Sequence, residues 1–514
     1  MKNKNIYIIG LIAIIICGLQ SCELKSEMYD EINPQIYPKT ERDVRDLVTG
    51  NAYTPFHNYN YGGMFNVANG FMLISDMASD YGFCTWGGSV WEPLEFARWT
   101  PPVQEVERLY YPWTTFLNGI SRMTLTIDRI SGVDMNQDRL NQYIAELRCG
   151  RGFLAFLLYD LYGPVIVADM ETLKNPLDEK ILPRLSEEEM REFIVTELTE
   201  AAKVLPYSYG KSDADYGRFT KGLCHIVLLK FYMQTQQWDK AITEARELQK
   251  PEYKYALVTD KGAEGSAYAN IFTFANEKNS ETIWSVNCVS GSQVHVWYPH
   301  VVPNNLKSSP NGAFAGGWGG YKMTWKFFKT FEGNDQRKQT IISEYEDWSG
   351  NVYNEANKGQ NNSLLDGVIP LKYKIETNNV GIECQTDWIV YRYADVLTLL
   401  AEAIVRDGNT VTQEAVNLLN EVRTRAGLTP YTLASFSDSR DFLDKLLMER
   451  AHEFYYEGCR RQDLIRDGSY VKAMTQKCAD YGQVAIVNEN HHRFPLPEPA
   501  IIAGQGIIKQ NPGY

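Results

Sequence analysis

Apolar residues recur along much of this chain at helical spacing. The clearest stripe is Val396, Leu399, Leu400 and Ala403, at i, i+3, i+4 and i+7, which predicts an amphipathic helix. It lies in YADVLTLLAEAIVRDGN, and QEAVNLLNEVRTRAGL follows, so residues 392–427 read as a helix pair. An earlier stretch, GRFTKGLCHIVLLKFYMQTQQWDKAITEARELQ within 216–249, has the same layout, with two helices meeting at Gln236-Gln237-Trp238. Trp238, Ala241 and Ala245 mark one face of the second helix, and the alanines are small enough for close helix contact.

Pairs of this kind bury their faces only by stacking on neighbours, which resembles a tetratricopeptide repeat. Further helices are predicted from Thr40, a plausible N-cap, to Tyr53, and over 103–132, 138–161, 186–204 and 439–457. The 138–161 segment holds ELRCGRGFLAFLLYDLYG, apolar nearly all round, and is predicted to be buried. Arg148 and Arg151 lie on it, and buried guanidinium groups need partners, so both read as structural anchors for carboxylates or loop carbonyls. Tyr162-Gly163-Pro164 ends the helix.

The helical pattern breaks between 261 and 385, where Gly, Asn, Ser and Trp are frequent. ETIWSVNCV (281–289) alternates and reads as a strand, and the Gly-rich start of GAFAGGWGGYKMTW (312–325) excludes a regular helix. Long irregular segments in a compact protein are usually functional or disordered, and the embedded aromatics argue against disorder. The predicted fold is therefore mainly α, a tetratricopeptide-like helical-repeat scaffold with an irregular loop-rich lobe carrying short strands.

The amino end adds a location. Lys2 and Lys4 precede an apolar run from Ile6 to Cys17, too short to span a bilayer core, as in a secretory signal peptide. Leu19-Gln20-Ser21-Cys22 resembles the bacterial lipobox, which predicts lipidation of Cys22 and a mature chain of Cys22 to Tyr514. More than one acyl chain makes such anchoring stable. The acidic start, with Glu23, Glu27, Asp30 and Glu31, suits a tether and resembles the acidic export signal of some Bacteroidetes surface lipoproteins.

Removing Lys2 and Lys4 takes the formal charge from −13 to −15, and no basic clusters appear, which argues against nucleic acid as a partner. Seven cysteines remain after Cys22, far apart and without a C-x-x-C pair, so neither a zinc nor a redox signature is present and buried free thiols are expected. The chain carries 11 Trp, 32 Tyr and 21 Phe, so rings beyond the needs of a core are available to stack on a ligand.

Several motifs in order resemble the SusD/RagB family of Bacteroidetes surface lipoproteins. They are the lipobox at Cys22, ELRCGRGFLAFLLYDLYGPV (146–165), the helix pair at 216–249, VYRYADVLTLLAEA with NEVRTRAGL, MERAHEFYYEGCRRQDLIRDG (448–468), RFPLPEPAI (493–501) and KQNPGY (509–514). Gly152, where the family usually has Ala, and the adjacent Gly163-Pro164 are small departures. The resemblance implies a signal peptide at 1–21, a lipid-anchored tether at 22–39, an N-terminal SusD-like helical domain at 40–260 and a C-terminal SusD/RagB domain at 261–514. The last divides into a loop-rich lobe (261–385), a helical part (386–470) and a closing segment (471–514). It further implies a cell-surface, outer-membrane lipoprotein that captures an oligosaccharide, or less often a peptide as in RagB-like proteins. Such a protein delivers its ligand to a SusC-like TonB-dependent transporter and acts as its lid, without catalysis. No cofactor and no metal ligand set is read from the sequence, and a structural metal ion is left open.

Sugars present apolar C–H faces and hydroxyl rims, so a site for them needs flat rings with amides, carboxylates or Arg beside them. Rings on non-helical chain occur in two regions, giving Trp86 and Trp91 in the first and Trp297, Tyr298 and Trp318 in the second. Polar candidates beside them are Asp76, Asp80, Asn287, Gln293 and Asn311. Trp318 leads, because its flanking glycines leave the ring unhindered, whereas Trp113, Trp238 and Trp388 read as core. The charges from Glu449 to Asp463 mimic a catalytic cluster but read as a buried ion network. No H-E-x-x-H, G-x-S-x-G, P-loop or dinucleotide fingerprint is present. A glycosidase needs only two suitably spaced carboxylates, so that activity is left to experiment, as is a purely structural lid with no ligand affinity of its own.

Overall fold

A computed structural model describes residues 37–56, 70–86, 91–98, 107–178, 180–307, 317–360, 362–374 and 383–514. The main elements, in chain order, begin with helix α1 (Glu41–Val48), α2 (Phe71–Met77), strand β1 (Gly82–Cys84), α3 (Glu107–Ile130), α4 (Gln137–Tyr162), α5 (Glu187–Val204), α6 (Lys221–Gln234) and α7 (Trp238–Leu248). Next come β2 (Thr282–Val286), a short α8 (Trp297–Val301), β3 (Tyr321–Thr324), the hairpin β4 (Tyr345–Glu346) and β5 (Val352–Tyr353), and β6 (Gly367–Val368). The chain closes with β7 (Trp388–Arg392), α9 (Tyr393–Gly408), α10 (Gln413–Arg425), α11 (Ser439–Glu453), α12 (Arg460–Asp467) and α13 (Tyr470–Asp480).

The helices start where side chains can satisfy their free N–H groups. Thr40 with Asp43 and Ser186 with Glu189 form reciprocal capping boxes for α1 and α5. Thr220, Thr412 and Asp438 cap α6, α10 and α11. Helix α4 ends at Gly163, whose φ of 76° favours glycine and whose missing Cβ leaves room for the Arg493 guanidinium.

Helix α4 is the spine. Its residues from Cys149 to Tyr162 are buried apart from Arg151, and it packs on α3, α5 and α6. Arg148 and Arg151 both reach Glu197 on α5, at 3.1 and 3.2 Å, which is the anchoring role their spacing predicts. The α6–α7 and α9–α10 pairs stack side by side through α7 and α9, giving the mainly α, tetratricopeptide-like scaffold. The seven cysteines after Cys22 are buried free thiols. No helix among the described residues is long and apolar enough to cross a membrane.

Residues 261–385 carry short strands and single-turn helices. Strand β3 is the centre of a three-stranded antiparallel sheet in the order β1-β3-β6, and β2 pairs with β7 in a separate ladder interrupted by bulges. The conspicuous charges form the expected network beneath this lobe. Glu453 pairs with Arg337, Arg392 and Arg425, and Glu457 with Arg392 and Lys372. Burial pulls the Glu453 carboxyl upward in pKa, but Arg425, Arg392 and Arg337 outweigh it and bring it down to about 2. A carboxylate so fully paired and buried is structural.

Candidate functional site

Two tryptophans 232 residues apart meet because β1 and β3 are antiparallel. The register pairs Gly82 with Met323 and Cys84 with Tyr321, so the chain leaving β1 runs beside the chain entering β3. Trp86 follows β1 and Trp318 precedes β3, and the Trp86 Nε1–H donates to the Trp318 carbonyl at 2.9 Å. Both rings stay exposed, 40% for Trp86 and 51% for Trp318, where a buried position would have been the default for indole.

Beneath them lies a core floor. The His300 ring stacks on Tyr321 at 5.4 Å and 10°, and meets Trp318 edge-on at 4.7 Å and 81°. Trp86 leans on the same two rings, at 5.4 Å from His300 and 5.1 Å from Tyr321. His300 pairs its Nδ1 with the Val296 carbonyl at 2.7 Å, which assigns the ring proton to Nδ1. Burial pushes its pKa down to about 4, so the imidazole is neutral near pH 7.

The glycines around Trp318 have a different purpose from the one the sequence implies. A Cβ at Gly320 would overlap the Trp86 indole, and one at Gly317 would overlap the Val302 carbonyl. They permit close approach rather than freedom. The segment is pinned by Gly317 N–H to Pro303 O at 3.2 Å, Trp318 N–H to Pro299 O at 2.6 Å and Gly320 N–H to His300 O at 2.8 Å. Thr85 holds it from the other side through its N–H to Gly320 O at 2.9 Å.

A third exposed indole, bonded to the Asn304–Asn305 segment that follows Pro303, was missed from sequence. Trp348, 55% exposed, sits in the turn between β4 and β5. Its backbone N–H donates to Asn305 O at 3.2 Å and its Nε1–H to Asn304 O at 3.3 Å. The turn DWSGN held the signal: Asp347 accepts from the Ser349 and Asn351 N–H groups, which is Asp's usual role in a tight turn and leaves the next side chain outside. Among the described tryptophans, Trp86, Trp318 and Trp348 are the exposed ones.

The other ring candidates are core. Trp297 and Tyr298 open the buried helix α8 instead of lying on loop, each 2% exposed, and the Trp297 Nε1–H donates to Pro370 O at 3.1 Å. Trp91 is also 2% exposed and packs edge-on against Tyr321 at 5.8 Å. None of the three can offer a face to a ligand.

The polar candidates scatter. Asp76 is buried, accepting from Tyr81 Oη at 2.6 Å and from the Gly458 N–H at 2.7 Å. Burial outweighs those bonds and pushes its pKa up to about 7. Asp80 forms a two-point ion pair with Arg460, at 2.9 and 2.7 Å. Both tie the β1 region to the helical scaffold and are framework. Asn287 donates to Tyr216 O at 3.2 Å, away from the indoles. Gln293 lies half-buried where it pairs with Val289. Asn311 and the lipidation candidate Cys22 lie outside the described residues.

Comparison with known proteins gives this geometry a context. The SusD family model matches residues 280–514. SusD-like protein P25 of Formosa agariphila is 25% identical over 91% of this chain and 90% of its own length. SusD-like protein P2 of the same organism is 21% identical with both chains fully covered. Starch-binding protein SusD of Bacteroides thetaiotaomicron matches at 30% identity, over only 25% of this chain and 22% of its own. Among solved structures, surface glycan-binding protein A of Bacteroides thetaiotaomicron, in complex with laminarihexaose, superposes with a TM-score of 0.73 at 21% identity, covering 92% of this chain and all of that one. A laminarin-binding SusD-like protein superposes with a TM-score of 0.72 at 20% identity over 93% of this chain. At these identities the structural likeness concerns the fold.

Proposed function

We propose that this chain, which belongs to the SusD family, is a cell-surface lipoprotein that captures oligosaccharides on the Trp86–Trp318 platform. It passes them to a SusC-like TonB-dependent outer-membrane transporter and serves as that transporter's lid. One observation carries the reading: exposed indoles held by backbone hydrogen bonds over a rigid aromatic floor. A single exposed ring needs no explanation, but adjoining exposed apolar groups mark ligand or partner sites. The flat C–H face of a pyranose fits an indole as another ring would.

Relatives named for binding starch, laminarin or laminarihexaose support a glycan over other ligands. Binding without turnover is favoured because Glu453 and Glu457, in the charge block that mimics a catalytic cluster, are buried in arginine and lysine contacts. The anchor at Cys22 would keep the protein beside its transporter, where effective concentration makes modest affinity sufficient.

The test is calorimetric titration of the purified protein with neutral hexasaccharides, alongside its Trp318→Ala variant. Weakened binding by the variant supports the platform. Binding of peptides and no glycan would replace the ligand class, and release of new reducing ends would replace the binder with a hydrolase.

A further inference from the structure

A second cavity lies on a different part of the fold. The loop between α5 and α6, the turn after α7 and strand β2 enclose about 650 Å³. That volume falls in the range of small-ligand sites. The platform belongs to the β1-β3-β6 sheet, whereas this cavity is built on β2 of the separate β2–β7 ladder.

Its walls carry Tyr209, Tyr216 and Tyr255, all half-buried. Tyr255 is held by stacking on Tyr253 at 5.7 Å and 20°, and the Tyr209 hydroxyl accepts from Gln142 Nε2 at 2.9 Å. Fixed phenol rings at a cavity wall present apolar area with a polar edge.

The charges are one-sided. In a chain of net charge −13, Lys211, Arg218, Lys254 and Lys278 border this cavity against one carboxylate, Asp260. Arg218 is neutralised by Glu146 at 2.8 Å. Among the described residues the three lysines form no ion pair. Lys278 Nζ donates to the Lys211 carbonyl at 3.1 Å and lies 4.4 Å above the Tyr216 ring. An ammonium has three donors, so two remain for a ligand. Lys254 and Lys278 also hold φ values of 59° and 57°, which side-chain-bearing residues rarely adopt and which concentrate at functional sites.

We infer that this cavity is a second saccharide site, selective for acidic sugars. A carboxylate or sulfate ester would meet the lysine ammonium groups while the sugar ring lies against the tyrosines. A neutral glucan would use the rings alone.

The experiment titrates the purified protein with an oligogalacturonate, a sulfated oligosaccharide and neutral laminarihexaose, at low and high salt. At least one acidic ligand should bind, more weakly at high salt. The Lys211→Gln/Lys278→Gln variant should lose roughly tenfold or more in affinity for it. Its Lys→Arg counterpart should retain binding, which separates lost charge from a damaged fold. Trp318→Ala should weaken the neutral ligand while leaving in place the salt-dependent part of acidic binding that the Lys211→Gln/Lys278→Gln variant removes, so this inference and the platform fail separately. Three results would overturn it: no acidic ligand binds, the glutamine variant binds as the parent does, or inorganic sulfate competes as well as the sulfated sugar.

Discussion

Replacing Trp318 by alanine separates a binding ring from a packing ring. An aromatic side chain offers about 150–250 Å², and Trp318 leaves 51% of its surface in solvent. A sugar that covers the exposed half therefore removes roughly 100 Å² of apolar surface, about 2.5 kcal/mol at ~25 cal/mol per Å². Its loss should weaken glycan binding by about 60-fold. The folded state loses much less. The ring's main protein contact is the edge-on meeting with His300 at 4.7 Å, and such pairs contribute about 0.5–1.5 kcal/mol. The melting temperature of Trp318→Ala should stay within a few degrees of the parent. Trp297→Ala is the control: its ring is 2% exposed, and truncating a buried tryptophan costs about 3–5 kcal/mol. Titration and thermal melts of both variants read the two effects. Unfolding of Trp318→Ala, or its binding every tested glycan as the parent does, would refute the reasoning.

Gly320→Ala should act at a distance, because the new methyl group occupies the space of the Trp86 indole. Glycan affinity should fall while Trp86 fluorescence shifts, and an unchanged affinity would show that the Trp86 position does not matter. His300 has a folded pKa of about 4, below the ordinary value of about 6.5. The unfolded chain therefore takes up the proton first, and stability present above about pH 6.5 is lost as the pH falls toward 4, by about 3 kcal/mol in all. His300→Gln should flatten the melting temperature across that window relative to the parent, and parallel curves would sink the assignment. Cys22→Ala should release the mature chain from membranes or leave it unprocessed, and lipid labelling that persists in the variant would contradict the anchor.

The helical scaffold was legible because helices write their burial locally. The stripe at Val396, Leu399, Leu400 and Ala403 predicts α9, Thr40 marks the start of α1, and the helical pattern at 186–204 matches α5 within a residue. The ion network was legible through the resemblance of the 448–468 block to the family's framework rather than through local pattern, because the Glu453 partners lie far off at Arg337, Arg392 and Arg425. The site was only half legible. Trp86 and Trp318 were found as loop tryptophans among glycines. Trp297, Tyr298 and Trp91 carry the same local signal but are core, because their burial is decided by Tyr321, Pro370 and Trp388, which no local window contains. Trp348 was missed although its turn carries the local Asp347 signal, because the docking of that turn on the 303–307 loop is set by pairing outside any local window.

The hydrogen bonds that fix the platform also limit what it can discriminate. Trp86 uses its indole N–H on the Trp318 carbonyl, and Trp348 uses its own on Asn304. Neither can donate to a sugar hydroxyl while those bonds stand. On the proposed reading, Trp86 would therefore meet a sugar by its ring face rather than through its indole N–H. The fixed geometry removes the ordering cost that a mobile aromatic loop would incur on binding, which favours affinity. It leaves linkage preference to the angle between the indoles and to the polar groups that approach from neighbouring loops. If the platform takes glycans as proposed, it would select among them by curvature, and titration with glycans of different linkage but equal length would show one curvature class bound over the others.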